Sequence, residues 1–99
     1  MSKYVLAFRG QPNRTLQPEE EQEWGAWFAG LGPAIADMGN RVGATRSLDS
    51  QHGGDPATSV LTGYVVVTAD DIGAAAQLAS GCPGLRHDAS VEVAEVVDA

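Results

Sequence analysis

Two stretches place apolar side chains on both faces of an extended strand, and this doubles the surface that the fold must cover. In Tyr4-Val5-Leu6-Ala7-Phe8, alternation sends Tyr4, Leu6 and Phe8 to one side and Val5 and Ala7 to the other. The run from Val60 or Leu61 through Thr68 repeats the pattern, with Tyr64 and Val66 opposite Val65 and Val67. A sheet built around these strands cannot leave either face bare. Helices can cover one side, and the other needs a second layer.

The rest of the chain supplies two helices. Pro18 suits a first helical position, and the glutamates after it favour the positive end of the helix dipole. Trp24, Trp27, Phe28, Leu31, Ile35 and Met38 then recur at spacings of three and four, as one apolar stripe. Pro33 interrupts this stripe, at about 3 kcal/mol in an unkinked helix. A kinked helix, or two helices in series, is therefore expected down to the stop signal Gly39-Asn40. Ala44 to Leu48 is the one plausible short second strand, followed by a long connection through Gly53, Gly54 and Pro56. Asp70 or Asp71 caps a second helix, whose Ile72, Ala75, Ala76 and Ala79 lie along one face. Gly81 and Pro83 close it, and Ser90 to Val97 alternates as a last strand.

The resulting order, β-α-β-β-α-β, defines an α+β domain of the ferredoxin-like kind: two helices on one face of an antiparallel four-stranded sheet. Residues 1–99 are enough for one such domain. Covering the open face by the sheet of a second copy is the economical solution, so a homodimer is expected.

Charge narrows the partners. Six basic residues stand against thirteen acidic ones, a net charge of −7 with no basic cluster, so neither nucleic acid nor an anionic membrane is expected as a partner. The apolar run at the N-terminus is only five residues, Tyr4 to Phe8, too short for a signal peptide's hydrophobic region, and a cytoplasmic protein is expected. Cys82 is the single cysteine, which leaves no internal disulfide and no multi-cysteine zinc site. No metal or cofactor is expected. The Gly30-Leu31-Gly32 triplet lies inside a helix rather than after a strand, so it is no dinucleotide fingerprint.

The C-terminal half, LTGYVVVTADDIGAAAQLASGCPGLRHDASVEVAEV, resembles the hallmark region of the YCII-related family, in which a GY strand, an Asp-started alanine-rich helix, a Cys-Pro or similar turn and a final SVEV strand follow in this order. The tryptophan-bearing segment WGAWFAGLG…DMGN is similar to the N-terminal half of one branch, so the resemblance extends over residues 4–97. It implies a dimeric α/β barrel, two ferredoxin-like protomers joined face to face through their sheets. One branch of the family pairs a histidine on the first helix with a later aspartate, proposed as catalytic. Asp37 matches that aspartate, but the histidine position falls near Trp27 or Phe28, neither of which takes a proton. The family's DGPF loop is replaced by GGDPATS.

Several candidate site residues follow. Asp37, at the expected helix end, is either functional or solvated. Glu92 shares a strand face with Ala94 and Val96; if that face is buried the carboxylate needs a partner, and Arg46 on the second strand is the candidate, as a site pair or a structural one. His52, in the glycine-rich connection, is a solvated loop residue or a base carried over a cleft by the loop. His87, beside Asp88, reads first as a solvated turn residue. Trp24 reads as core, whereas Trp27 falls where the family's relatives face their cleft. Cys82 follows a helix C-terminus, where the dipole disfavours a thiolate, so it is a poor nucleophile. Two functions of different class remain. One is a small-molecule binding protein with an aromatic or cyclic ligand against Trp27, Tyr64, Arg46 and Glu92. The other is a lyase or isomerase with Asp37 or Glu92 as base and His52 delivered by the loop. A third, an interaction module with no ligand, uses the sheet for oligomerisation alone.

Overall fold

A computed structural model describes residues 1–11, 14–46, 48 and 60–97. Their elements are β1 (Ser2–Gly10), α1 (Pro18–Leu31), β2 (Ile35–Arg41), β3 (Val60–Ala69), α2 (Ile72–Ala79) and β4 (Ser90–Glu95), with 3-10 turns at Gly32–Ala34 and Pro83–Arg86. Every strand pair is antiparallel, in the order β2-β3-β1-β4. This is the ferredoxin-like βαββαβ arrangement expected from the element order.

The two-faced strands β1 and β3 sit at the centre of the sheet and pair with each other. Tyr4, Leu6, Phe8, Val65, Val67 and Ala69 are buried on the side that the helices cover. Leu31 of α1, Ala75 and Ala79 of α2, and Cys82 close the core over them. The face of α2 is rotated from the expected one, because Ile72 and Ala76 are exposed while Ala74 and Leu78 pack inward beside Ala75 and Ala79. Asp71 caps α2, its carboxylate accepting from the Ala74 N–H at 2.8 Å, and the paired aspartates after β3 are thereby accounted for. On the opposite face, Val5, Ala7, Tyr64 and Val66 form a half-buried row.

The path from α1 into the sheet departs from the sequence expectation. The helix does not continue through Pro33 to Met38; it ends at Leu31, and Ile35–Arg41 is the second strand. The residue before a proline is disfavoured in helical conformation, so Gly32 must leave the helix. It does so at φ 46°, its N–H still donating to the Phe28 carbonyl. The chain then has one 3-10 turn before it pairs with β3. Ile35 therefore reaches the core from a strand, opposite Val67, and Met38 is 59% exposed. The stretch Ala44 to Leu48, expected as a strand, forms no part of the sheet at its described residues.

Pairing of β2 with β3 is irregular between Asp37 and Asn40, and Gly39 absorbs the irregularity at φ 65°. A Cβ built there would lie 1.8 Å from the Tyr64 carbonyl oxygen, so no other residue fits without moving the backbone of β3. Gly39→Ala is expected to cost about 3 kcal/mol or more, from left-handed strain plus this clash. Urea unfolding monitored by circular dichroism measures it, and a loss under about 1 kcal/mol would mean that the strand edge yields easily.

Candidate functional site

The inward face of α1 carries Glu20, Trp24, Trp27, Phe28 and Leu31 at spacings of three and four, and Phe8 of β1 rises to meet it. Phe8 packs edge-on against Trp24, with ring centroids 4.9 Å apart and planes at 76°, and against Trp27 at 5.7 Å. Trp24, Trp27 and Phe28 also touch one another, so four rings form a single cluster. The Phe8–Trp24, Phe8–Trp27 and Trp24–Trp27 pairs are edge-to-face and the Trp24–Phe28 and Trp27–Phe28 pairs tilted, and such aromatic pairs gain about 0.5–1.5 kcal/mol each beyond area burial.

Beside the cluster opens a cleft of about 1140 Å³, at the end of the sheet where β1 and β2 finish and β3 and β4 begin. It exceeds the ~300–1,000 Å³ of ordinary ligand pockets and is open to solvent. Phe8, Trp24 and Phe28 contribute its aromatic wall and Arg14, Glu20 and Arg41 its polar groups, while Tyr64 and Asn40 border it from the opposite face of the sheet at the β2 edge. The Asn40 amide donates to the Tyr64 hydroxyl oxygen at 3.2 Å.

Glu20 is the group the sequence reading missed. It is 3% exposed, the one charged residue in the described core. The Arg14 guanidinium grips it with both terminal nitrogens, at 3.1 and 2.5 Å, and the Trp24 indole N–H donates to it at 3.2 Å. Hydrogen bonding from Arg14 holds the Glu20 carboxyl below its ordinary range, in spite of desolvation pushing the other way. On its other side stands His87, Nδ1 3.7 Å from Glu20 Oε1 and Nε2 3.4 Å from Glu23 Oε1, while Arg86 pairs with Glu23 at 2.5 Å. His87 is thus no solvated turn residue: it stands between two turns of α1. A signal for Glu20 exists in the sequence, because it lies four residues before Trp24 and falls on the apolar stripe.

The residues singled out from sequence are only partly brought together. Tyr64 lines the cleft. Trp27 does not; its indole N–H donates to the Leu78 carbonyl at 3.2 Å and ties α1 to α2, while Trp24 takes the place at the wall. Asp37 is on strand β2, not at a helix end, where it is exposed and accepts from the Gly39 N–H at 2.8 Å. Arg46 is exposed beyond the end of β2, and Glu92 is exposed on β4 opposite Ala7. Those strands are the two outer edges of the sheet, three spacings or about 14 Å apart, so the Arg46–Glu92 pair does not form. His52 lies outside the described residues, and the chain's other histidine, His87, faces Glu20 and Glu23 rather than Asp37. Cys82 is 1% exposed and burial pushes its thiol pKa up, an unreactive setting.

No family model matches the sequence, and no curated protein matches it. No helix among the described residues is long and apolar enough to cross a membrane.

The Glu20 interaction carries a pH signature. Its folded pKa is lowered, so its contribution is complete above the ordinary carboxylate value of about 4.3 and is lost as pH falls through the folded value. Glu20→Gln is expected to lose about 2 kcal/mol at pH 7, and the gap to the parent chain should close on acidification below pH 4. Urea unfolding of both chains between pH 7 and pH 3 measures this; a gap that stays constant would mean that the ion pair contributes nothing.

Proposed function

We propose that this chain is a small-molecule binding protein of the YCII-related type, taking a flat aromatic or cyclic ligand in the cleft without transforming it. The observation that carries the reading is the aromatic wall of Phe8, Trp24 and Phe28 along a cleft large enough for such a ligand. Aromatic faces around a few polar groups are how proteins bury flat molecules. The carboxylate nearest the wall is a poor base, because Arg14 occupies both its oxygens and lowers its proton affinity. Asp37 and Glu92, the expected bases, are both exposed, on the two edge strands of the sheet. Binding without turnover is the reading these groups favour.

The reading includes a cytoplasmic homodimer joined through the open sheet face. Its support is the row Val5, Ala7, Tyr64 and Val66, each half-buried in the lone protomer and apolar apart from the Tyr64 hydroxyl. A second sheet against this row removes it from water at roughly 25 cal/mol per Å².

Isothermal titration with 2-naphthamide, a neutral flat probe, tests the binding reading. Binding is expected in the parent chain, weakened at least tenfold by Trp24→Ala and unchanged by Asp37→Asn. Loss of affinity on Asp37→Asn, with consumption of a substrate, would return the enzyme reading. The dimer is tested separately by sedimentation velocity: the parent chain should sediment as a dimer and Val66→Lys as a folded monomer. A parent chain that is monomeric at 100-fold dilution and at stock concentration alike would remove the second sheet.

A further inference from the structure

Resting on the cleft reading above, we infer that the ligand is an aromatic carboxylate whose ring lies at the Phe8 and Trp24 end of the cleft and whose anionic group meets Arg41. Arg41 of β2 pairs with Gly63 of β3, which in turn pairs with Phe8 of β1, so the three residues form one row across the sheet. Phe8 and Gly63 are buried on the helix-covered side, and strand alternation puts the Arg41 side chain on that side too. Gly63 is buried between its two neighbours. A Cβ there would lie 3.1 Å from the Asn40 carbonyl oxygen, 3.5 Å from the Arg41 Cα and 3.8 Å from the Phe8 ring, so a glycine is what lets Phe8 and β2 close in on one another beside the cleft. Two strand spacings, about 10 Å, separate Phe8 from Arg41 along this row, so a flat ring at the Phe8 and Trp24 end brings its carboxylate to the guanidinium.

The charges agree with an anion at that end. Arg41 lines the cleft, and its guanidinium has no hydrogen bond or ion pair among the described residues; Arg14, the other arginine at the wall, is committed to Glu20. Glu21 also lines the cleft, on α1, across from β2. Of six basic residues in a chain of net charge −7, four (Arg9, Arg14, Arg41 and Arg46) lie on or just beyond the strand ends that frame this cleft. Asp70, Asp71 and Glu95 gather at the opposite end of the sheet, around a smaller hollow. Arg14 and Arg41 are the two that line the cleft, and with Arg14 engaged by Glu20, Arg41 is the one that can meet an anion there. A guanidinium binds a carboxylate through two parallel N–H donors, a geometry that a neutral amide cannot match.

The test compares 2-naphthoate with its neutral isostere 2-naphthamide by isothermal titration, on the parent chain and on Arg41→Met. The parent is expected to prefer the carboxylate by about tenfold, with the preference falling as salt rises. Arg41→Met should abolish the preference and Arg41→Lys should keep part of it, and a circular dichroism spectrum and urea midpoint like the parent's exclude a folding defect. Equal binding of the two probes to the parent, or a preference that survives Arg41→Met, would overturn the inference and leave the cleft reading standing. If neither probe binds, the cleft reading fails with it.

Discussion

A carboxylate on the inward stripe of a helix can stay charged only if cations and donors come to it, and the surroundings of α1 are arranged around that requirement. Glu20 draws Arg14 back from the connection after β1, fixes the Trp24 ring through its indole N–H, and faces His87 in the turn before β4. Three separate parts of the chain thereby converge on one side chain. The Trp24 ring so held stacks edge-on over Phe8, at the boundary between core and cleft. Gly84 allows the remaining approach, since a Cβ there would lie 3.2 Å from the Trp24 ring. A polar group in the core thus sets the position of the aromatic wall.

That arrangement bears on what the cleft can do. General bases work when a nearby environment raises their proton affinity towards the working pH. Around Glu20 the bidentate guanidinium does the opposite, and the carboxylate is committed as an acceptor to Arg14 and Trp24. A group whose oxygens are all engaged orients its neighbours rather than moving protons. The chemistry at the wall is that of a rigid surface, with hydrophobic faces and a few fixed donors.

Much of the fold was legible because its signals are local. Apolar alternation marked β1 and β3 on both faces, and Asp71 with the alanines after it marked the capped helix α2. The error at β2 has a specific cause: Ile35 and Met38 continue the helical spacing of the α1 stripe, and the apolar period outweighed the proline. Gly32 and Pro33 decide otherwise, since backbone geometry ends the helix whatever the side chains favour. Ile35 then satisfies the same core from a strand. The site was less legible, because it rests on pairings across the chain. Nothing in the spacing of Arg14 to Glu20, or Glu20 to His87, announces that they meet, although Glu20's place on the stripe marks it as inward.

The displaced strand also changes which arginine matters. With the second strand at Ala44 to Leu48, Arg46 would stand in the sheet and reach towards Glu92. With it at Ile35–Arg41, Arg46 falls beyond the sheet's edge and Arg41 takes the last strand position, in one row with Gly63 and Phe8. A shift of the element by a few residues exchanges the expected Arg46–Glu92 pair for a guanidinium beside the aromatic wall that has no partner among the described residues. The two faces of the sheet then separate in role. The helix-covered face ends in a cleft with its own donors and rings, while the open face keeps an apolar row with Glu92 at its edge strand. A ligand in the cleft and a second sheet on the open face do not compete for the same side chains, Tyr64 excepted, which belongs to the row and also lines the cleft. Through Tyr64, whatever packs on the open face also bears on the border of the cleft.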